Sequence, residues 1–250
     1  MALDSGTIRA TLDESVAKRI GLDLSMKAQS SGAAGMQEIS VVKDQVLRFG
    51  GVEVTEPLML AYPLDFLSKR LGRRVDGIIG VELFRKYVVE IDYAGRKLRL
   101  MAPETFTYAG PGEVVPVTYD RRLPLVSGTV TPYGKDPIPT RFQLDTGGSG
   151  MYADLWKDFI AKHDLLPGVR DVAVVQTTGF GGTRPQQKGR VAALQIGGIK
   201  ITDPVVRLND YQFGDAALFG GNLGSSFFKQ FRVIFDLPHD RVVFEPVAAR

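Results

Sequence analysis

The chain has no cysteine among its 250 residues. Disulfides, thiolate metal sites and a cysteine nucleophile are therefore excluded, and the redox compartment stays open. Histidine is scarce, with only His163 and His239. No apolar run approaches the ~18 to 20 residues that a membrane helix needs, so no membrane span is expected. The N-terminal Met1-Ala2-Leu3-Asp4 carries neither the basic stretch nor the apolar segment of an export signal. Walker loops, His-Glu-x-x-His zinc motifs and nucleophile elbows are absent. The glycine runs at 179–182 and 220–224 do not lie between the strand and helix of a βαβ unit, which argues against a dinucleotide loop. Net charge is only +3, with a pI near 9.0. The basic residues are dispersed, and the one local cluster, Arg70-Leu71-Gly72-Arg73-Arg74, reads as solvated surface. No nucleic-acid partner is expected.

What is present is an ordinary globular composition, 44% hydrophobic and 24% charged, enough for a packed core. It carries one internal repeat. Leu47-Arg48-Phe49-Gly50-Gly51-Val52-Glu53-Val54-Thr55-Glu56-Pro57-Leu58 returns as Leu194-Gln195-Ile196-Gly197-Gly198-Ile199-Lys200-Ile201-Thr202-Asp203-Pro204-Val205, at an offset of 147. Five of the twelve positions are identical and five more are conservative. Each copy reads as a hairpin: alternating apolar residues flank a Gly-Gly turn, and the proline is expected to end the ladder. The same offset carries Ser30-Ser31-Gly32-Ala33-Ala34-Gly35 onto Thr177-Thr178-Gly179-Phe180-Gly181-Gly182. At an offset of 144, the block from Gly80 to Tyr87 matches Gly224 to Phe231, and both run on to an aspartate, Asp92 and Asp236. At an offset of 141, Asp4-Ser5-Gly6 matches Asp145-Thr146-Gly147. Four blocks in one order describe two copies of one fold.

The turn residues Ala109-Gly110-Pro111-Gly112 set the boundary, giving an N-terminal lobe of 1–110 and a C-terminal lobe of 111–250. A short helix is expected after each aspartate motif, from Asp13 to Ile20 and from Ala153 to His163. A further helical turn is expected near Glu82 to Lys86 and Ser225 to Gln230. Strands are expected at Tyr87 to Tyr93, Val114 to Tyr119, Val191 to Ile196 and Val233 to Asp236. The fold class is mainly β, in two lobes related by a pseudo-dyad.

The paired Asp-Ser/Thr-Gly motifs carry the chemistry. Glycine lets the backbone turn sharply and brings amide N–H groups towards the carboxylate. The hydroxyl residue is placed to brace the loop. One such triplet arises readily by chance in a chain of this length; two at matching places in a duplicated chain do not. Two carboxyls brought together on a dyad cannot both ionise cheaply, so they share a proton and titrate as a pair. The ionised member then activates a water as general base, while the protonated member polarises the scissile carbonyl. The scheme requires no metal or cofactor.

The order of these motifs resembles the retropepsin-like aspartyl proteases: Asp-Ser/Thr-Gly, a short helix, a glycine-tipped hairpin, then an apolar-apolar-Gly block. Asp76-Gly77-Ile78-Ile79-Gly80-Val81-Glu82-Leu83-Phe84, followed by Val88-Val89-Glu90-Ile91-Asp92-Tyr93, is similar to the bacterial two-lobed members. The resemblance covers nearly the whole chain. It implies two pepsin-like acid-protease β-barrel lobes with a cleft between them. Asp4 and Asp145 would be the catalytic pair, supported by Ser5, Gly6, Thr146 and Gly147. Gly32, Ala33, Ala34 and Gly35, with Gly179, Phe180, Gly181 and Gly182, would form the flap tips over an extended polypeptide substrate. Ile79-Gly80 and Leu223-Gly224 would lie behind the two aspartate loops. A monomer would suffice, since both aspartates are in one chain. The resemblance also implies a periplasmic or otherwise exported location.

Three features depart from that pattern. Only Met1, Ala2 and Leu3 precede Asp4, whereas about thirty residues of the second lobe precede Asp145, so the first lobe is expected to lack strands its sibling has. The first flap has no aromatic where the second has Phe180. Asn222-Leu223-Gly224 stands where the first copy has the apolar Ile78-Ile79-Gly80. Asp92 and Asp236 read as turn residues, His163 and His239 as surface, capping or turn residues, and Trp156 as packing. The rival to an aspartic endopeptidase is a catalytically inactive peptide-binding module on the same fold. A structural domain without ligand would leave the paired flap glycines unexplained.

Overall fold

The computed structural model describes residues 1–32, 35–148, 150–212 and 219–247. Contacts divide the chain into two compact units: Met1–Leu83 with Gln176–Pro185, and Phe84–Val175 with Gln186–Arg250. Both are mainly β, as the sequence predicts. Among the described residues no helix is long and apolar enough to cross a membrane.

The first unit is built on β1 (Ala2–Leu3), β2 (Thr11–Asp13), α1 (Glu14–Arg19), β3 (Lys27–Gly32), β4 (Gly35–Phe49), β5 (Val52–Tyr62), α2 (Asp65–Leu71) and β6 (Gly77–Ile79). Its sheet runs β1-β6-β2-β5-β4-β3. Asp13 starts α1 as its N-cap, accepting the Ser15 N–H on Oδ1 at 3.0 Å. Its other oxygen accepts the Leu64 N–H at 2.8 Å, so one carboxylate ties the helix start to the chain leaving β5. Ala10, Leu12, Val16, Ala17, Val42, Met59 and Ala61 pack beneath as a core cluster.

The β4–β5 hairpin turns at Gly50 and Gly51, whose φ values of 53° and 81° suit the tight turn that a right-twisted ladder favours. Pro57 does not end this ladder. Gln45 pairs with Glu56 and Lys43 with Leu58, so only the Asp44–Pro57 rung is interrupted. Proline offers no N–H there, and Asp44, opposite it within β4, takes a left-handed φ of 53°.

The second unit begins within α3 (Val81–Lys86) and continues through β7 (Val88–Asp92), β8 (Lys97–Met101), β9 (Glu113–Pro116), β10 (Thr118–Asp120), β11 (Leu123–Thr131), β12 (Ile138–Leu144), β13 (Ala153–Leu155) and α4 (Lys157–Lys162). The hairpin β14 (Arg170–Gly179) and β15 (Gly182–Arg190) follows, its tip belonging to the first unit. Then come β16 (Ala193–Ile196), β17 (Ile199–Thr202), β18 (Val205–Leu208), β19 (Gly221–Leu223), α5 (Ser225–Phe228), β20 (Phe231–Asp236) and β21 (Arg241–Pro246). The expected helix from Ala153 therefore starts four residues late. Ala153–Leu155 is a fully buried strand held between β18 and β19. The expected strand from Val114 to Tyr119 is likewise split at Val117 into β9 and β10.

The larger sheet runs β14-β15-β18-β13-β19-β12-β11-β16-β17. Its segment β12-β19-β13-β18-β15-β14 has the order of the first sheet. The registers agree as well: Leu3 pairs with Ile79 and Leu144 with Leu223, both in parallel. At the offset of 147, β4 corresponds to β15 plus β16, and β5 to β17 plus β18. Asp203 and Pro204 interrupt this second hairpin where Pro57 interrupts the first, and its register then resumes, as Arg190 pairs with Val205 and Ala193 with Thr202.

A separate sheet, β8-β7-β20-β21-β9, lies wholly in the second unit and joins strands from both sequence copies. Antiparallel pairing of β7 with β20 centres it. Phe84 and Phe228, at matching positions in the two repeats, both lie against Phe235, with ring centroids 5.1 and 5.8 Å away. Asp236 closes the β20–β21 turn but is fully buried, held by His239 Nδ1 and Arg241 Nε, each at 2.6 Å. Trp156 is buried with Leu125 and Phe219.

Two outcomes follow from this packing. Phe235→Ala should destabilise the chain by about 3 to 5 kcal/mol in a denaturant titration, because a fully buried aromatic is lost from a packed cluster. Asp13→Ala should cost about 1 to 2 kcal/mol near neutral pH. Burial pushes the Asp13 carboxyl up, but the bonds from Ser15, Leu64 and Val16 outweigh it and hold the group below its usual value. Its stabilisation is therefore present above the ordinary carboxylate range and lost as pH falls through the lower folded value. The gap between wild type and Asp13→Ala should close on acidification; a gap that widens would contradict this assignment.

Candidate active site

Each Asp-Ser/Thr-Gly motif sits where a strand ends beside the apolar-Gly block. In the first unit, β1 delivers Asp4, whose N–H donates to the Ile79 carbonyl at 3.0 Å. Asp4 Oδ1 accepts the Gly6 N–H at 2.8 Å. This is the sharp turn towards the carboxylate for which the motif's glycine was singled out. Ser5 is fully buried behind it. The loop is then pinned from below, with the Val81 N–H donating to the Thr7 carbonyl at 2.9 Å. Gly80 must be small, since a Cβ there would lie 2.9 Å from that same carbonyl. Ile79-Gly80 thus backs the loop, as expected.

In the second unit, β12 delivers Asp145 in the same way. Thr146 and Gly147 follow it, half-buried. The Gly148 N–H donates to the Asp145 carbonyl at 3.1 Å. Asn222 donates its Nδ2 to Asp145 Oδ2 at 2.7 Å, whereas Ile78, at the matching register of the first unit, has no donor to offer. The sequence marked Asn222 only as a departure from an apolar pattern.

The flap residues divide. Gly32 and Gly35 form the last pair of the β3–β4 ladder, while Ala33 and Ala34 lie outside the described residues. Gly179 ends β14 and Gly182 opens β15, leaving Phe180 and Gly181 as the turn. Gly181 has φ 93°, and a Cβ there would lie only 2.6 Å from the Gly35 backbone nitrogen. Both glycines count in the first unit, so the structure brings these two tips together.

Tyr62, which sequence reasoning missed, lies at the end of β5 with its ring centroid 4.5 Å from that of Phe180. Burial pushes its phenol above the ordinary value, the hydrogen bond with Thr11 draws it partly back, and the Asp4 charge adds a further upward push. That electrostatic link ties Tyr62 to the first aspartate. Its counterpart at the 147 offset is Asn209, whose amide bridges Gln186 and the Leu155 carbonyl inside the second unit. Comparing the repeats four residues beyond Leu58 would have exposed this aromatic-for-amide exchange.

His163 caps the end of α4 against Phe159. A surface depression of about 540 Å³ in the first unit is lined by Asp13, Asp65, Lys69, Arg73 and Asp76 among others, but by none of the motif or flap residues.

A family model described as aspartyl protease matches residues 1–83 and 126–227. The chain belongs to the aspartyl protease family. The match covers well over half of the sequence, and its two stretches include both aspartate motifs and both apolar-Gly blocks. It fits a retropepsin-like, two-lobed member. No curated protein matches the chain.

The link between Asp4 and Tyr62 can be measured. In Asp4→Asn, the Tyr62 phenol should titrate at lower pH than in wild type, because the nearby negative charge that disfavours the phenolate is gone. It should still titrate above an ordinary tyrosine, because burial is the larger cause. Carbon-13 NMR of labelled tyrosine reads both values, and an unmoved Tyr62 would dissociate it from the aspartate.

Proposed function

We propose that the chain is an aspartic endopeptidase in which Asp4 and Asp145 form a shared-proton dyad, one carboxyl from each of the lobes 1–110 and 111–250. What supports this reading is the equivalence of their settings. In a chain of this family, each aspartate follows a strand paired in parallel with an apolar-Gly strand, at matching register. The duplicated sequence supports the same conclusion.

The ionised carboxyl takes a proton from a bound water as the water attacks the scissile carbonyl carbon. The protonated carboxyl donates to the carbonyl oxygen. The gem-diol collapses as the amine nitrogen is protonated and leaves, and the pair returns to one shared proton. The substrate is an extended polypeptide held by strand-like hydrogen bonds to the flap hairpins, with Phe180 offering an apolar contact at one tip. Both aspartates lie in one chain, so a monomer suffices.

The test is cleavage of an unstructured protein such as casein between pH 3 and 8, with and without pepstatin. Wild type should cleave and pepstatin should block it. Asp4→Asn and Asp145→Asn should each lower the rate by at least about 10²-fold, because one carboxyl cannot serve as both acid and base. Circular dichroism and melting temperature should stay close to wild type. Full activity in either single variant would rule out a shared dyad. A folded wild type that binds pepstatin in calorimetry but cleaves at no pH would be a peptide-binding module.

A further inference from the structure

We propose that Asn222 decides which aspartate begins the cycle as the base: its amide holds Asp145 in the ionised form and leaves the shared proton on Asp4. The inference rests on the dyad reading and deepens it, by assigning unequal roles to two carboxyls that the sequence repeat makes look equivalent.

The argument comes from one rung of the larger sheet. Arg207 on β18 pairs with Asp154 on β13, Asp154 with Asn222 on β19, and Asn222 with Gln143 on β12. Directly paired residues share a face of the sheet, so these four polar side chains lie in a row. Asp154, Asn222 and Gln143 are all buried. The matching rung of the first unit is Leu60, Thr11, Ile78 and Ala2. At the position behind the aspartate, one unit therefore has an amide and the other a hydrocarbon.

The amide has a definite orientation. Its Nδ2, which can only donate, meets Asp145 Oδ2 at 2.7 Å, so that oxygen accepts. Asn222 Oδ1 is buried and has no hydrogen-bond partner among the described residues. A buried orphan acceptor is a cost that an isoleucine avoids. The side chain is thus best explained by its donor, and its donor is spent on Asp145. Hydrogen bonds to a charged acceptor are stronger than those to a neutral one, and burial strengthens them further. The Asn222 bond therefore favours ionised over protonated Asp145. Among the elements packed against β12 and β19, Asp154, Arg207 and Arg141 carry charge, while β11 and α5 hold no titratable residue. Asp154 is offset by Arg207, with Nε 3.4 Å from Oδ1.

Asn222 is on this view a positioning residue, and its effect is read in pH dependence rather than in substrate affinity. Asn222→Ile, which copies Ile78, should move the acid limb of kcat/KM up by about 1 pH unit. KM should change by less than about twofold. An acid limb that stays in place or moves down overturns the proposal. Wild type alone supplies a second measurement that needs no substitution at Asn222. Site-resolved carbon-13 titration of the two carboxyls, assigned with Asp4→Asn and Asp145→Asn, should show Asp145 ionising at lower pH than Asp4; the reverse order overturns it. The two readings fail separately. If either aspartate variant cleaves normally, the dyad falls and this inference with it. If they are inactive while Asn222→Ile keeps the wild-type profile, the dyad stands and only the role of Asn222 is lost.

Discussion

The parallel pairing of the strand before each aspartate with the strand before each backing glycine is the constraint on which the site depends. Leu3 beside Ile79, and Leu144 beside Leu223, set the point at which the chain leaves the sheet. Because side chains alternate along a strand, a slip of one residue would turn each aspartate to the opposite face. The pairing is nonlocal, joining residues more than seventy positions apart, so it cannot form without most of its unit. In the first unit it is locked by the Asp4 N–H on the Ile79 carbonyl and by a glycine too small to displace the loop. The carboxylates are thus held by backbone geometry, and side chains only adjust them.

The same register organises the long hairpins. In the first unit β4 and β5 run as one ladder with a single broken rung. In the second, the break at Pro204 is wider, and the distal half, β16 and β17, pairs on its far side with β11. Proline removes one donor in each copy, and what the chain does with that weakness depends on whether another strand is available to receive it. Gly128 on β11 allows the approach, since a Cβ there would lie 2.4 Å from the Gln195 carbonyl.

Much of this was legible in the sequence because the repeat was. Glycine pairs, aspartate motifs and the α1 boundaries each carry a local signal that survives without tertiary context: Asp13 and Ile20 were expected to bound the first helix, and they are its caps. What was not legible depends on partners far away in the chain. Ala153-Asp154-Leu155 has no strand pattern of its own and becomes a strand because β18 and β19 hold it on both sides. Pro57 looked like a terminus because the strength of the ladder beyond it is invisible from one strand. Tyr62 needed the β5 register to be recognised beside the site. Asn222 looked like a departure from an apolar pattern until its bond to Asp145 was known.

That rung also bears on why the two halves are unequal. Burying Asp154 against Arg207 does not pay in stability, since a buried ion pair usually does no better than well-packed hydrocarbon. The first unit shows the apolar alternative at the same positions, with Leu60 and Ile78 flanking Thr11. A polar row retained in only one copy is poorly explained by folding alone. It is better explained by what Asn222 within it reaches, the Asp145 carboxyl that accepts its amide. Pseudo-symmetry places the two carboxyls in like settings, and only a departure from it can make those settings differ. The Asn222 amide supplies such a difference, because its counterpart, Ile78, cannot make that bond.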